Sequence, residues 1–122
     1  MNELQVLVGA EVNYVRFSHQ VDINFTYGNN QFANLQIEAS FELQTKQGTV
    51  AIDPATPKTF APVIEVLHAK VTHMDLSEDY NLTISFDNEY QLHVSPIPTY
   101  EAWNLTGDAL PYYVASPLPS SD

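Results

Sequence analysis

Gln20-Val21-Asp22-Ile23-Asn24-Phe25-Thr26-Tyr27 decides the fold class. Val21, Ile23, Phe25 and Tyr27 alternate with Gln20, Asp22, Asn24 and Thr26, and a period of two marks a strand with one buried and one wet face. Gly28-Asn29-Asn30 follows and supplies turn chemistry, because Gly and Asn tolerate positive φ. The next run repeats the pattern. Leu35, Ile37, Ala39, Phe41 and Leu43 point one way, and Gln36, Glu38, Ser40, Glu42 and Gln44 the other. This is long for one strand, so a bend or bulge is expected near Ala39-Ser40. Residues 12–17 read as a first strand joined through Ser18-His19, and Lys46-Gln47-Gly48 turns the chain into residues 49–52. Connections this short require antiparallel neighbours in a meander.

Residues 53–58 form a Pro-rich loop ahead of one helix, expected over 61–68. Phe60, Val63, Ile64 and Leu67 fall at helical spacing, Pro62 sits in the first turn, and Thr59 is placed to cap. A helix this short cannot persist alone and must dock on the sheet. Strands return at 71–76 and in a hairpin built from Leu82, Ile84 and Phe86, the turn Asp87-Asn88-Glu89, and Tyr90, Leu92 and Val94. Residues 100–105 are expected as a last edge strand, and the tail from about 116 is expected to fray. The fold class is therefore mainly β: an antiparallel curved sheet, half-barrel or small sandwich with one short helix packed on it. Residues 1–122 form a single domain.

The charge balance is the other informative feature. Fifteen acidic residues face four basic ones for a net charge of −11, and no Lys or Arg follows Lys70. Such an imbalance opposes compaction, so solubility or a cationic partner is its expected use. Direct binding to nucleic acid is not expected, since no basic patch exists to neutralise phosphates. The absence of cysteine excludes disulfides, thiolate metal sites and a cysteine nucleophile. The N-terminus lacks a secretion signal and no run is long enough to cross a membrane, so a cytoplasmic location is expected. Three Asn-x-Thr triplets, at Asn24, Asn81 and Asn104, read as chance in an Asn- and Thr-rich β protein.

Catalytic motifs are missing. The glycines at 9, 28, 48 and 107 are too far apart for a phosphate loop, and no serine sits in a nucleophile elbow. His73-x-Asp75 supplies two ligands where a metal needs three or four. No enzyme activity, cofactor or metal is expected. Tyr100-Glu101-Ala102-Trp103 is the most distinctive string, and Trp103 is expected in the core, the alternative being an exposed, acid-ringed aromatic anchor of an interface.

These landmarks carry a resemblance. Leu7-Val8-Gly9, Leu35-Gln36-Ile37-Glu38, a short helix near Pro62, the hairpin at 82–94 and Tyr100-Glu101-Ala102-Trp103 together resemble a bacterial family of small β-rich domains of unknown function. Such domains occur among polymorphic-toxin and contact-dependent growth inhibition immunity proteins. The resemblance implies a cytoplasmic protein that binds a basic toxin domain, such as a nuclease, and covers its active site. Charge supports the same expectation, because a nuclease must be basic and complementary charge speeds encounter. The residues expected to bind this partner are Asp75, Glu78, Asp79, Asp87 and Glu89, with Glu38 and Glu42 secondary. The alternative is a small-molecule-binding β-barrel with Tyr and Phe lining an internal cavity.

Overall fold

The alternation at 20–27 becomes the second strand of a five-stranded antiparallel sheet. The structure is a computed structural model that describes residues 2–108 and 110–117. Strands β1 (Glu11–Phe17), β2 (Val21–Tyr27) and β3 (Gln31–Ile37) form the expected meander. The remaining strands are β4 (Phe41–Thr45), β5 (Gly48–Ile52), β6 (Val71–Leu76), β7 (Leu82–Phe86), β8 (Gln91–Val94), β9 (Trp103–Gly107) and β10 (Tyr113–Val114). Sheet A has the order β1-β2-β3-β9-β10 and sheet B the order β5-β4-β8-β7-β6. Both are antiparallel throughout and neither closes.

The bend expected near Ala39-Ser40 is larger than a bulge. β3 stops at Ile37 in sheet A and β4 starts at Phe41 in sheet B, so the chain changes sheets there. The glutamate and serine of this crossover stay exposed, while Ala39 is buried. One continuous sequence pattern thereby feeds both layers of a sandwich, because either sheet can accept an alternating strand.

The expected helix forms as two 3-10 pieces, Pro57–Thr59 and Ala61–Val66. Its buried stripe is Phe60, Val63 and Val66, and Ile64 is 50% exposed. The spacing is the reason: a 3-10 helix has three residues per turn, so i and i+3 share a face and i+4 does not. Thr59 does not cap a helix. Its hydroxyl accepts a hydrogen bond from the Asp53 amide at 2.9 Å and donates to the Thr56 carbonyl at 2.8 Å. The stretch 100–105 also differs from expectation. β9 begins at Trp103 and lies between β3 and β10, so it is an interior strand. A further 3-10 helix, Asn2–Leu7, packs on β6 and was not anticipated.

One core lies between the sheets. Val12, Ile23, Phe25, Leu35, Leu43, Ile52, Ile84, Leu92, Trp103 and Leu105 each have 0% exposure. Side chains fill the interior, and the three cavities described below are open surface grooves. Tyr27 and Tyr113 are the buried phenols. Tyr27 donates its hydroxyl to the Asp108 carbonyl, and burial, then the Asp108 charge, raises its pKa. Burial, followed by the nearby Glu3 carboxylate, raises Tyr113. The frayed tail expected beyond 116 lies mostly outside the described residues, which end at Pro117. No helix is long and apolar enough to cross a membrane among the described residues.

Candidate functional site

The seven carboxylates expected to bind a partner fall in four places. Glu78 and Asp79 occupy the turn between β6 and β7, with Asp75 exposed on β6 just before it. Asp87 and Glu89 occupy the turn between β7 and β8. Those turns lie at opposite ends of β7, a five-residue strand spanning about 17 Å. Glu38 lies in the sheet crossover, where its carbonyl accepts a hydrogen bond from the exposed Tyr100 hydroxyl at 3.5 Å. Glu42 projects from the outer face of sheet B, paired with His93 on one side and Ala51 on the other. A single coherent acidic patch is therefore not formed.

The outer face of sheet B is polar and self-satisfied. His93 shares hydrogen bonds with the Thr83 hydroxyl through Nδ1 (3.0 Å) and with the Ser95 hydroxyl through Nε2 (3.2 Å). Gln91 donates to Ser85 at 3.0 Å. The adjoining pocket of ≈ 160 Å³ is lined by Glu42, Gln44, Thr49, Gln91 and His93. Both imidazole nitrogens face hydroxyls rather than a carboxylate that would orient a general base. Among the described residues, no group of three His, Asp or Glu is placed to hold a metal ion.

The outer face of sheet A buries unexpected polarity. Asp22 is 1% exposed and accepts from Arg16 Nε (3.3 Å), Gln20 Nε2 (3.0 Å) and Asn34 Nδ2 (3.4 Å). Asn24 accepts from Asn13, and Asn104 donates to Gln36, both at 3.1 Å. Neighbouring long side chains roof these groups, which the alternation alone assigns to the wet face. Asp22 and Arg16 spend their charges on each other.

The turn at 77–81 has a different character. The Ser77 amide bonds the Asn81 carbonyl, and the Asn81 amide donates to Ser77 Oγ at 3.0 Å, closing the loop tightly. Tyr80 sits at its tip with φ of 61°, a left-handed conformation uncommon for a bulky residue. Its carbonyl accepts the Trp103 indole N–H at 3.1 Å, and the two rings are tilted with centroids 6.3 Å apart. The fully buried Trp103 thus holds the turn from beneath, while the Tyr80 side chain remains 39% exposed.

Glu78, Asp79 and Tyr80, with Pro96, Val114, Ser116 and Pro117, line a groove of ≈ 380 Å³. None of the four Lys and Arg residues lines it. Neither Glu78 nor Asp79 makes a side-chain hydrogen bond or ion pair among the described residues. An exposed aromatic on a rigid base, beside two unspent charges and ringed by proline, has the composition of a protein-contact site. Residues 3–118 match a protein family described as a family of unknown function, DUF6188. The chain belongs to this DUF6188 family. No curated protein and no solved structure matches it.

Sequence reasoning placed two of this groove's residues, Glu78 and Asp79, and missed the aromatic between their strands. The signal was present. Tyr80 falls outside the alternation of both flanking strands, in a turn where Gly or Asn would be easier to accommodate. Pro96, Val114, Ser116 and Pro117 had no local signal, since only folding brings three distant segments to one rim of this DUF6188 domain.

Proposed function

We propose that this chain is a cytoplasmic immunity-type binding protein that neutralises a basic toxin domain, such as a nuclease, by covering its active site. The observation that carries the reading is the groove at the 77–81 turn, which Glu78 and Asp79 line together with the strained, exposed Tyr80. Strain held in place by buried neighbours favours a functional reason for the conformation. Tyr80 is the aromatic anchor. Glu78 and Asp79 attract a lysine or arginine of the partner, and Asp75, exposed on β6 just before the turn, adds to the acid there. The net charge of −11 speeds encounter with a cationic surface.

The test is whether the gene sits immediately after one for a large secreted protein with a variable C-terminal domain, and whether that domain co-purifies with this chain. A stable complex whose association slows as salt rises is expected. Tyr80→Ala should weaken binding by about 2 kcal/mol or more, roughly thirtyfold. Glu78→Lys with Asp79→Lys should weaken it further, while Asp87→Lys with Glu89→Lys changes the affinity little. Undiminished binding and protection by the Tyr80, Glu78 and Asp79 variants would overturn the assignment.

A further inference from the structure

A sheet edge exposes unpaired backbone groups, and three of the four edges here are protected against pairing with another chain. β1 carries a bulge between Val12 and Tyr14, and the 68–71 segment covers its first half through the bonds His68 N–H to Val12 carbonyl and Val12 N–H to Ala69 carbonyl. β6 is bulged between Val71 and His73, and its Met74 carbonyl accepts from Gln5 Nε2 at 3.0 Å. β10 is only two residues long.

β5 has no such device. It pairs with β4 over all five residues without a register shift, and Gly48-Thr49-Val50-Ala51-Ile52 contains no charge and no proline. The closing pair of the two-residue hairpin, Thr45 and Gly48, must be mutually hydrogen-bonded. Alternation then turns the amides and carbonyls of Val50 and Ile52 toward β4, and those of Thr49 and Ala51 outward. Both outward residues are exposed, and no other backbone bond reaches them among the described residues.

We propose that β5 pairs antiparallel with β5 of a second copy of this chain, joining the two B sheets into one continuous ten-stranded sheet. The two-fold axis passes between the Val50 residues. Thr49 of each copy then faces Ala51 of the other as a hydrogen-bonded pair, and these four residues satisfy one another. Val50 meets Val50 at the close, non-hydrogen-bonded position, over the groove of ≈ 490 Å³ that lies between β5 and the 3-10 helix Ala61–Val66. Gly48 faces Ile52.

Two negatively charged copies repel at long range, and the flanking residues decide that the contact still fits. The strand itself is neutral, so no like charges meet across the axis. The hairpin turn that opens each β5, Lys46-Gln47, sets the exposed Lys46 of each copy at the end of the other copy's strand, where Asp53 follows Ile52. Lys46 thereby meets acid of the other copy once at each end of the contact. An edge-to-edge contact of this length is smaller than a standard interface, so the association is weak, roughly micromolar. The β6–β7 turn lies at the other side of sheet B, so dimerisation leaves the Tyr80 groove open, and the two proposals fail or stand separately.

Sedimentation velocity of the full chain, run to roughly 100 µM, tests this. A concentration-dependent monomer–dimer equilibrium is expected. Ala51→Pro removes only an outward N–H, which an edge strand tolerates. It should leave the melting temperature close to that of the parent and weaken the dimer at least about tenfold. Val50→Lys and Val50→Asp should each be monomeric alone and should form a heterodimer when mixed. A parent protein that stays monomeric throughout, an Ala51→Pro variant that dimerises like the parent, or charge variants that fail to pair would each overturn the proposal.

Discussion

The two acidic turns of sheet B begin from similar sequences and reach opposite outcomes. In the turn at 87–90, the Asp87 carboxylate accepts the Lys70 amide at 3.0 Å and the Asp87 amide donates back to the Lys70 carbonyl. Asn88 donates to the Glu65 carbonyl at 2.8 Å and accepts the Tyr90 amide at 3.1 Å. Glu89 takes the left-handed position with φ of 72°. Acid here staples the turn to the neighbouring connection. In the turn at 77–81, the left-handed residue is an aromatic, the loop closes through Ser77, and both carboxylates remain unspent. Acidic composition is thus not one property. A carboxylate aimed at backbone N–H groups is structural, and one aimed at water beside an exposed ring is available to a partner.

Removing the support of the 77–81 turn should have the largest effect. Trp103→Ala deletes a fully buried indole and should cost about 3–5 kcal/mol in denaturant unfolding. Trp103→Phe keeps most of the packing but strands the Tyr80 carbonyl, and should cost about 1–2 kcal/mol. If Trp103→Phe leaves hydrogen exchange in the 77–81 turn unchanged, the indole does not hold that turn.

Asp87→Ala should destabilise by about 1 kcal/mol, whereas Glu78→Ala with Asp79→Ala should stay within about 0.5 kcal/mol of the parent. Equal losses from the two turns would erase the distinction between stapling and free acid. Glu89→Gly should stabilise by somewhat under 1 kcal/mol, because it relieves the left-handed backbone without touching a packed side chain. Tyr80→Gly relieves the same strain but loses the ring's packing against Trp103, so its net change in melting temperature should be smaller.

Alkaline pH gives a final, smaller signal. Tyr27 and Tyr113 are held above the ordinary value of 10.0, so the unfolded chain gives up these protons first. Their contribution is fully present below pH 10 and is lost as pH rises through the folded values. Tyr27→Phe and Tyr113→Phe should flatten the decline in melting temperature over that interval.

Most strands were legible because their signal is local. Val21, Ile23, Phe25 and Tyr27 alternate within eight residues, and 71–76 and 82–86 match their strands residue for residue. The helix was legible in place but not in type, since Phe60 and Val63 satisfy either period until packing selects Val66 over Ile64. Of the candidate site, the carboxylates were visible and their grouping was not. Glu78 and Glu89 are both acidic turn residues, and a strand's length separates them only once β7 is built.

By itself the chain determined its β character, its turns and its acidic surface, because each depends on neighbours within a few residues or on composition. Tertiary structure alone decided that the run at 35–43 splits between two sheets, that β9 is interior, that Asp22 is buried, and that Tyr80 stands in a groove with Pro96 and Pro117. These facts rest on contacts between residues far apart in sequence. A period-two pattern says which face of a strand is apolar, and says nothing of which strand will lie beside it.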